Sequence, residues 1–201
     1  MTNPVVDLLV QTDALRFGTF TLKNGESSPI FIDLGRVADG VSLQKLGALF
    51  AEAVLARFPG TTHLFGPAYK GIALATSAAV AFAARSSNVK TFFDRKEAKA
   101  HGEGGTYIGS TPTQGDKVVV IDDVMTSGKT KVDAFAALEA SFGVRPVGVL
   151  VAVDRSRGKA AAEMEGYNVQ ALVTLSDVAN HLEAIGSPYA QSIRAYAGGG
   201  S

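Results

Sequence analysis

The chain has 201 residues, of which 46% are hydrophobic and 19% are charged, a composition typical of one soluble globular domain with a buried core. Lys plus Arg and Asp plus Glu each total 19, so the formal net charge is +0, which argues against a nucleic-acid binder because such proteins usually carry a basic excess. The chain contains no cysteine, which excludes disulfides, thiolate metal sites and a cysteine nucleophile and agrees with an expected location in the cytoplasm.

The N-terminal part of the chain predicts a helix and a hairpin. Residues 1–18 lack a basic start followed by a long apolar run, so no signal peptide is expected, and no stretch approaches the ~18 apolar residues of a membrane span. Residues 4–15 have apolar side chains at helical spacing and predict a short helix. Residues 18–33 predict a hairpin, because two β-rich runs flank the turn pair Asn24-Gly25.

Beyond the hairpin, helical stripes alternate with short apolar runs. Residues 42–58 predict a helix with Ser42 as its N-cap. The other predicted helices cover residues 71–84, 129–142 and 176–185, and the predicted strands cover residues 63–66, 89–93, 118–121, 147–153 and 169–175. This alternation predicts an α/β fold with a mostly parallel central sheet flanked by helices. The hairpin lies outside this pattern and is expected to form a small N-terminal hood.

Two stretches show no regular pattern. Residues 94–116 are polar and contain five glycines, which predicts a long loop or a mobile arm. Residues 198–201, with the sequence GGGS, predict a flexible tail. His63 and His181 lie outside both stretches and are expected to be structural or surface residues.

The segment VVVIDDVMTSGKT, residues 118–130, carries the main functional signal. A buried strand is expected to end in Asp122 and Asp123, and a loop of residues 124–128 should lead into a helix. Ligands of open parallel sheets bind beyond the carboxyl ends of the strands, and a helix N-terminus offers free N–H groups to a phosphate. The two carboxylates suit the neighbouring hydroxyls of a ribose or a magnesium ion. The segment therefore predicts a sugar-phosphate site.

Two other interpretations of this segment are disfavoured. A P-loop requires glycine at the position where this chain has Asp123, so the segment does not indicate a nucleoside triphosphatase. An ordinary strand end followed by a capping turn needs neither the pair Asp122-Asp123 nor a glycine two residues after Thr126, where this chain has Gly128.

The same segment resembles the PRPP signature of type I phosphoribosyltransferases, and other stretches resemble the orotate phosphoribosyltransferase family. FTLKNGESSPIFID (20–33) is similar to the family's hood hairpin, FGPAYKGIALA (65–75) to its pyrophosphate turn and FDRKEAKAHGEGG (93–105) to its catalytic loop. AVDRSRG (152–158) and RAY (194–196) also match. The resemblance implies the type I phosphoribosyltransferase fold and transfer of ribose 5-phosphate from PRPP to orotate, with Mg²⁺ as cofactor and release of pyrophosphate.

The resemblance also implies roles for individual residues. PRPP would be bound by Lys23, Tyr69, Lys70, Arg95, Lys96, Lys99, His101, Asp122, Asp123, Val124, Met125, Thr126, Ser127, Gly128, Lys129 and Thr130. The catalytic set within this group would be Arg95, Lys99, His101, Asp122 and Asp123. Orotate would be bound by Phe31, Ile32, Thr126 and Arg155. Magnesium would be held through PRPP, with Asp122 or Asp123 reaching it through water.

The family works as a homodimer with shared active sites, and the resemblance implies the same here. Arg95, Lys99 and His101 would reach PRPP bound in the neighbouring subunit, whereas Lys96 would serve its own. No nucleic-acid or membrane partner is expected.

Several of these assignments have structural alternatives. Arg155 could pair with Asp154 or Asp177 instead of a substrate carboxylate. Phe31 could be an ordinary core residue and Lys23 an exposed hairpin lysine.

Two positions depart from the family pattern. Ile32 stands where many bacterial relatives have a second aromatic residue, so stacking on the orotate ring could be weaker. Lys129 stands where small residues are common, and it could contact the 5-phosphate or point to solvent.

Two other functions compete with orotate transfer. The first is transfer to a purine or to uracil, which the hood and loop motifs disfavour and which would not need a cation such as Arg155. The second is a PRPP-sensing regulator without catalysis. Such a regulator could dispense with the catalytic loop, which this chain retains, and would often carry a nucleic-acid-binding extension, for which no spare length remains.

Overall fold

The computed structural model describes residues 2–22, 25–96 and 106–199. Its helices are α1 (Pro4–Gln11), α2 (Gly40–Arg57), α3 (Lys70–Ala83), α4 (Lys129–Phe142), α5 (Lys159–Glu163), α6 (Leu175–Ala184) and α7 (Ala190–Gly198). Its strands are β1 (Leu15–Thr21), β2 (Ser27–Ile32), β3 (His63–Phe65), β4 (Lys90–Asp94), β5 (Tyr107–Gly109), β6 (Val118–Met125), β7 (Gly148–Asp154) and β8 (Val169–Thr174). A short 3-10 turn spans Leu34–Arg36.

The central sheet has the strand order β5-β4-β3-β6-β7-β8. All neighbours pair in parallel except β5, which is antiparallel to β4. Alternate residues of β6 face opposite layers: Val119 and Ile121 lie in a core with α2 and α3, and Val118 and Val120 lie in a second core with α4. Because both faces are covered, β6 is a continuous apolar run up to its acidic end. The predicted fold class is confirmed.

The parallel arrangement brings three strand ends to one edge of the sheet. β6 lies between β3 and β7, so the turn after β3, the acidic end of β6 and the residues after β7 are neighbours. In open parallel sheets this edge is where ligands bind. No helix in the described ranges is long and apolar enough to cross a membrane.

The hood hairpin is confirmed as an antiparallel pair of β1 and β2, with Leu15 opposite Ile32 and Thr21 opposite Ser27. Asn24 of the predicted turn lies outside the described residues. The hairpin is fixed to the body by its packing, since Ile30 is fully buried and the Phe17 ring stacks on Tyr189 at a centroid distance of 5.6 Å. Tyr189 precedes α7, a helix that the sequence pattern did not predict.

The predicted helix of residues 4–15 is too long: it ends at Gln11, and Leu15 already pairs with Ile32 in the hairpin. Three further differences from the predictions exceed a shift of a residue or two. α2 begins at Gly40, because Asp39 is its N-cap and the Asp39 carboxylate accepts the Ser42 N–H at 2.9 Å; the prediction of Ser42 as N-cap is wrong. The predicted loop of residues 124–128 is also too long. β6 continues to Met125, because its last residues still pair with β7 after β3 has ended.

The third difference lies in the segment predicted to be a loop. Tyr107–Gly109 forms the edge strand β5, and the Tyr107 ring packs against Phe92 and Phe142 with centroids 6.2 and 4.8 Å away. A three-residue strand is too short to show a period, so no sequence pattern indicated it. This aromatic contact fixes the chain immediately after the undescribed residues 97–105.

Both conspicuous histidines have structural roles, as expected. His63 is fully buried, with Nδ1 2.9 Å from the Thr62 hydroxyl and Nε2 3.3 Å from the Ser110 hydroxyl, and burial lowers its pKa. His181 is also buried, and its Nδ1 accepts the Asn3 N–H at 3.0 Å. These contacts tie surface segments to the core, away from the acidic edge of the sheet.

Candidate functional site

The acidic pair at the end of β6 is held by backbone amides and by lysines. Asp122 Oδ1 accepts the N–H of Asp123 at 2.8 Å, and Asp123 Oδ1 accepts the N–H of Val124 at 2.8 Å. Lys131 Nζ donates to Asp122 Oδ2, and Lys70 Nζ lies 3.2 Å from Asp123 Oδ2. Each carboxylate therefore has one oxygen fixed by the backbone and the other fixed by a cation. Sequence reasoning missed Lys131.

Lys70 links two acids, since its Nζ also lies 3.2 Å from Asp33 Oδ1. Partial burial lowers the pKa of Lys70, but the charges and hydrogen bonds of Asp123 and Asp33 outweigh burial and raise it. Likewise, burial raises the pKa of Asp33, but Lys70 and the Gly35 N–H bring it below its ordinary value. Lys70 is thus a charged ammonium at neutral pH. Its side chain is 46% exposed, so it can exchange a carboxylate for an arriving phosphate.

The turn of residues 66–69 follows β3 and faces the acidic pair. The Ala68 N–H donates to Asp94 Oδ1 at 2.6 Å, so the end of β4 fixes the turn. Tyr69 is 74% exposed and open to a ligand. A Cβ at Gly66 would overlap the Gly71 carbonyl and lie 2.9 Å from the Ala75 Cβ. Only glycine at position 66 lets the turn approach the start of α3 this closely.

We therefore expect Gly66→Ala to lower the melting temperature by about 4–8 °C, because forcing a methyl group against backbone costs about 2 kcal/mol in a chain of this size. Thermal unfolding followed by circular dichroism measures the change. Gly40→Ala is the matched control, because a Cβ there meets nothing within 4 Å and is expected to change the free energy of unfolding by less than about 0.5 kcal/mol. An unchanged melting temperature in Gly66→Ala would contradict the close approach.

A cavity of about 410 Å³ lies between this turn and the acidic pair, and we call it the acidic cavity. It is lined by Pro67, Ala68, Tyr69, Lys70, Asp94, Lys96, Asp122, Asp123, Thr130, Lys131 and Ala134. The predicted residues Tyr69, Lys70 and Lys96 are therefore brought together with the two aspartates. Its lining offers cations for a polyanion and carboxylates for hydroxyl groups.

Residues 126–128 join β6 to α4 with their backbone amides available. The N-cap of α4 is Gly128, with φ +90°, and within the described chain no side chain caps the first turn. Thr126, Ser127 and Lys129 are exposed. The first N–H groups of an uncapped helix bind anions well, so this loop can hold a phosphate as predicted.

A second cavity, of about 260 Å³, lies on the other side of this loop, and we call it the arginine cavity. It is lined by Glu26, Thr126, Ser127, Arg155, Ser156, Arg157, Lys159 and Tyr196. Thr126 and Arg155, both predicted to bind one substrate, therefore share a cavity. Its three cations suit a carboxylate or another small anion.

Arg155 points to a tyrosine and not to an acid. Its Nη2 donates to the Tyr196 hydroxyl at 3.2 Å. Asp154 instead accepts the N–H of Ser156 at 2.7 Å, and Asp177 caps α6 through the N–H and hydroxyl of Thr174. Among the described residues, neither candidate acid pairs with Arg155. The guanidinium therefore keeps donors available for an anion.

Two further residues connect the hood to the C-terminal helix across the arginine cavity. Arg157 Nη2 donates to Glu26 Oε1 at 2.6 Å, and Arg157 Cζ lies 4.5 Å from the centre of the Tyr196 ring. Sequence reasoning noted AVDRSRG and RAY as matches but gave Arg157 and Tyr196 no role. No sequence period could have placed these distant segments side by side.

The remaining predicted residues are not all gathered at the cavities. Phe31 is half-buried in the hood, with its ring 5.6 Å from that of Phe20, and Ile32 packs against the main core; the lining of the arginine cavity includes neither. Arg95 follows β4, and its buried Nε has no hydrogen-bond partner among the described residues. Lys23, Lys99 and His101 lie outside the described residues.

The acidic pair fits magnesium brought by a substrate better than a resident ion. Over the described ranges, no group of three or more His, Asp or Glu side chains could hold a metal. Magnesium commonly uses one or two carboxylates together with waters and substrate phosphates. Asp122 and Asp123 supply such oxygens beside the anion-binding loop.

Three kinds of comparison with known proteins agree. The family model described as phosphoribosyl transferase domain matches residues 38–187. Orotate phosphoribosyltransferase from Xanthomonas oryzae pv. oryzae (strain MAFF 311018) is 44% identical over 183 residues, covering 86% of this chain and 83% of the relative. That from Stenotrophomonas maltophilia (strain R551-3) is 41% identical over 205 residues, covering 95% and 92%. The crystal structure of orotate phosphoribosyltransferase from Francisella tularensis superposes with a TM-score of 0.81 at 26% identity, covering 98% of this chain and 95% of that one.

Proposed function

The chain belongs to the orotate phosphoribosyltransferase family, and we propose that the end of β6 is where it transfers ribose 5-phosphate from PRPP to orotate. This pentosyl transfer yields orotidine 5'-monophosphate and pyrophosphate in pyrimidine biosynthesis. The observation that carries the site assignment is the position of the acidic pair and the 126–128 loop between two cavities that both contain cations.

In this proposal the donor lies across the β6 end. Asp122 and Asp123 accept hydrogen bonds from the ribose 2- and 3-hydroxyls. Residues 126–128 and the first turn of α4 hold the 5-phosphate through backbone amides and hydroxyl groups, with Lys129 and Thr130 beside them. In the acidic cavity the pyrophosphate is contacted by Tyr69, Lys70 and Lys96. Lys70 gives up its ion pair with Asp123 to make this contact.

Catalysis then depends on stabilising the departing pyrophosphate. Breaking the bond at C1 of the ribose leaves an oxocarbenium-like centre, while negative charge accumulates on the leaving group. Lys70 and Lys96, with Arg95, Lys99 and His101 from the neighbouring subunit, place positive charge and hydrogen-bond donors at that group. Magnesium, bound through PRPP and reached by Asp122 or Asp123 through water, would add positive charge there.

Orotate occupies the arginine cavity in this proposal. Arg155 grips its carboxylate with two parallel N–H donors, which fixes the ring so that its nitrogen faces C1 of the ribose. Thr126 contacts both substrates because the 126–128 loop separates the two cavities. Phe31 and Ile32 lie beside the ring, and Lys23 reaches PRPP from the hood.

We further propose that the whole chain is one phosphoribosyltransferase domain that works as a homodimer in the cytoplasm. A groove of about 380 Å³ between α2 and α3 supports contact between two copies, because its lining is mostly apolar and includes Val80, which is 67% exposed. A patch of this kind on an otherwise mixed surface is typical of an interface. The segment around residues 94–116 supplies the catalytic loop to the neighbouring site.

One assay tests the reaction. Protein, PRPP, magnesium and orotate are mixed, and the loss of orotate absorbance is followed. Parallel reactions with uracil and hypoxanthine test the acceptor. We expect a strong preference for orotate over uracil and hypoxanthine, and turnover with hypoxanthine or uracil but not orotate would overturn the proposed substrate. PRPP binding without turnover of any base would favour a PRPP-sensing regulator.

A further inference from the structure

Lys131 is a charged residue at a core position of α4. It lies on the same helix face as Phe135 and Leu138, which are buried in the second core, and is itself only 7% exposed. Burying an ammonium group is unfavourable unless the charge is paired and hydrogen-bonded. Its partner is Asp122, also largely buried, to whose Oδ2 it donates. The position of Lys131 is therefore tied to the first carboxylate of the acidic pair.

The two lysines that pair with Asp122 and Asp123 differ in their freedom to move. The Lys70 side chain is 46% exposed and shares its charge between Asp33 and Asp123, so it can leave for another anion. The Lys131 side chain is only 9% exposed, and moving away from Asp122 would leave its charge unpaired in a largely buried position. Asp122 therefore stays paired when a ligand arrives, whereas Asp123 is released.

The negative charge of PRPP explains why Asp122 needs a cation that stays paired with it when the donor binds. PRPP carries several negative charges, and two unneutralised carboxylates beside its ribose would repel it. A lysine fixed on one carboxylate removes part of that repulsion and leaves the oxygens able to accept hydroxyl hydrogen bonds. It also holds the carboxylate in one orientation, because Oδ1 of Asp122 is already fixed by the Asp123 N–H.

We propose that Lys131 is a positioning residue for the donor sugar: it neutralises and orients Asp122 so that this carboxylate accepts the ribose hydroxyls. The inference rests on the proposed function, since it assumes that the ribose lies at the acidic pair. Lys131 also lines the acidic cavity, so its effect is local to the donor. Among the described residues, the lining of the arginine cavity does not include Lys131.

The test is Lys131→Met, which keeps the length and apolar stem but removes the charge. We expect the KM for PRPP to rise at least about tenfold, the KM for orotate to stay within about twofold, and kcat to change less than the KM for PRPP, because the lost interaction acts on donor binding. Calorimetric titration with PRPP and magnesium, without orotate, should show the same weakening. An unchanged PRPP affinity would overturn the inference.

A double-variant cycle separates positioning from a general structural effect. If Lys131 acts through Asp122, adding Lys131→Met to Asp122→Asn should change the KM for PRPP by less than about twofold, because the two residues are coupled. Independent effects that multiply would contradict the inference. If Lys131→Met does not fold, the Asp122→Asn/Lys131→Met pair still tests it, because removing both buried charges is often tolerated. The KM for PRPP of this double variant is then compared with that of Asp122→Asn alone.

The control is Lys90→Met, an exposed lysine at the opposite end of β4 from the site, which should leave both KM values unchanged. The outcome also distinguishes this inference from the proposed function. Unaltered protein that fails to turn over PRPP and orotate would reject the function. Active protein whose Lys131→Met variant binds PRPP normally would reject the positioning role alone.

Discussion

Lys99→Ala is expected to lower kcat about 100- to 1,000-fold, because removing one donor that stabilises charge on a leaving group has effects of that size. The free energy of unfolding should change by less than about 0.5 kcal/mol, as expected for a lysine in a polar, glycine-rich stretch of the sequence. Steady-state rates and thermal unfolding measure the two effects. Lys90→Ala, at the far end of the sheet, is the control. A nearly normal kcat in Lys99→Ala would remove this residue from the catalytic set.

The proposed sharing of active sites between subunits allows a second test, with hybrid dimers. Lys99→Ala and Asp123→Asn should each be inactive, but a hybrid dimer has one site with an intact Asp123 and an intact neighbouring Lys99. Random mixing of subunits should therefore restore about a quarter of the unaltered activity, because half of the dimers are hybrids and each has one working site. Verified hybrids that remain inactive would argue that each subunit completes its own site.

Much of the fold followed from local pattern. β6 is predicted because four consecutive apolar residues must be covered on both faces, and these residues lie in two separate cores. The acidic pair and the 126–128 loop are contiguous in sequence, so their common location followed from the rule that parallel strands end at one edge. Most determinants that are adjacent in the chain were predicted correctly, although the N-cap of α2 was placed at Ser42 and is Asp39.

The predictions failed where distant segments decide the outcome. The end of β6 is set by pairing with β7, and β5 is stabilised by contacts of Tyr107 with aromatic rings that come from other elements. No local pattern indicated that Lys131 is buried, because a lysine on a helix is usually exposed to solvent. The burial of Lys131 is explained by its ion pair with Asp122, which only the folded structure shows.

The arginine cavity also depends on contacts between distant segments that no sequence pattern shows. Arg155 was predicted from the resemblance, but sequence alone left Asp154 and Asp177 as possible partners. The structure gives both acids backbone or capping hydrogen bonds and leaves the guanidinium facing the Tyr196 hydroxyl. Tyr196 lies 41 positions further along the chain, so only the folded chain reveals this neighbour of the Arg155 guanidinium.

Arg155→Met should raise the KM for orotate about 100-fold, because two charge-assisted hydrogen bonds to a carboxylate together contribute about 3 kcal/mol. The KM for PRPP should stay within about twofold, since the donor lies on the other side of the 126–128 loop. The residual kcat/KM with uracil should be little affected, because uracil has no carboxylate for Arg155 to bind. The variant should therefore lose most of its preference for orotate.

Arg145→Met is the matched control, since Arg145 is an exposed arginine that precedes β7 and packs over the Tyr167 ring at 4.7 Å, at the opposite edge of the sheet. It should leave the preference for orotate over uracil unchanged. Equal losses with orotate and uracil in Arg155→Met would show that the arginine shapes the cavity and does not bind the carboxylate. Orotate binding would then depend on the other cations of the arginine cavity, Arg157 and Lys159, of which Arg157 is already paired with Glu26.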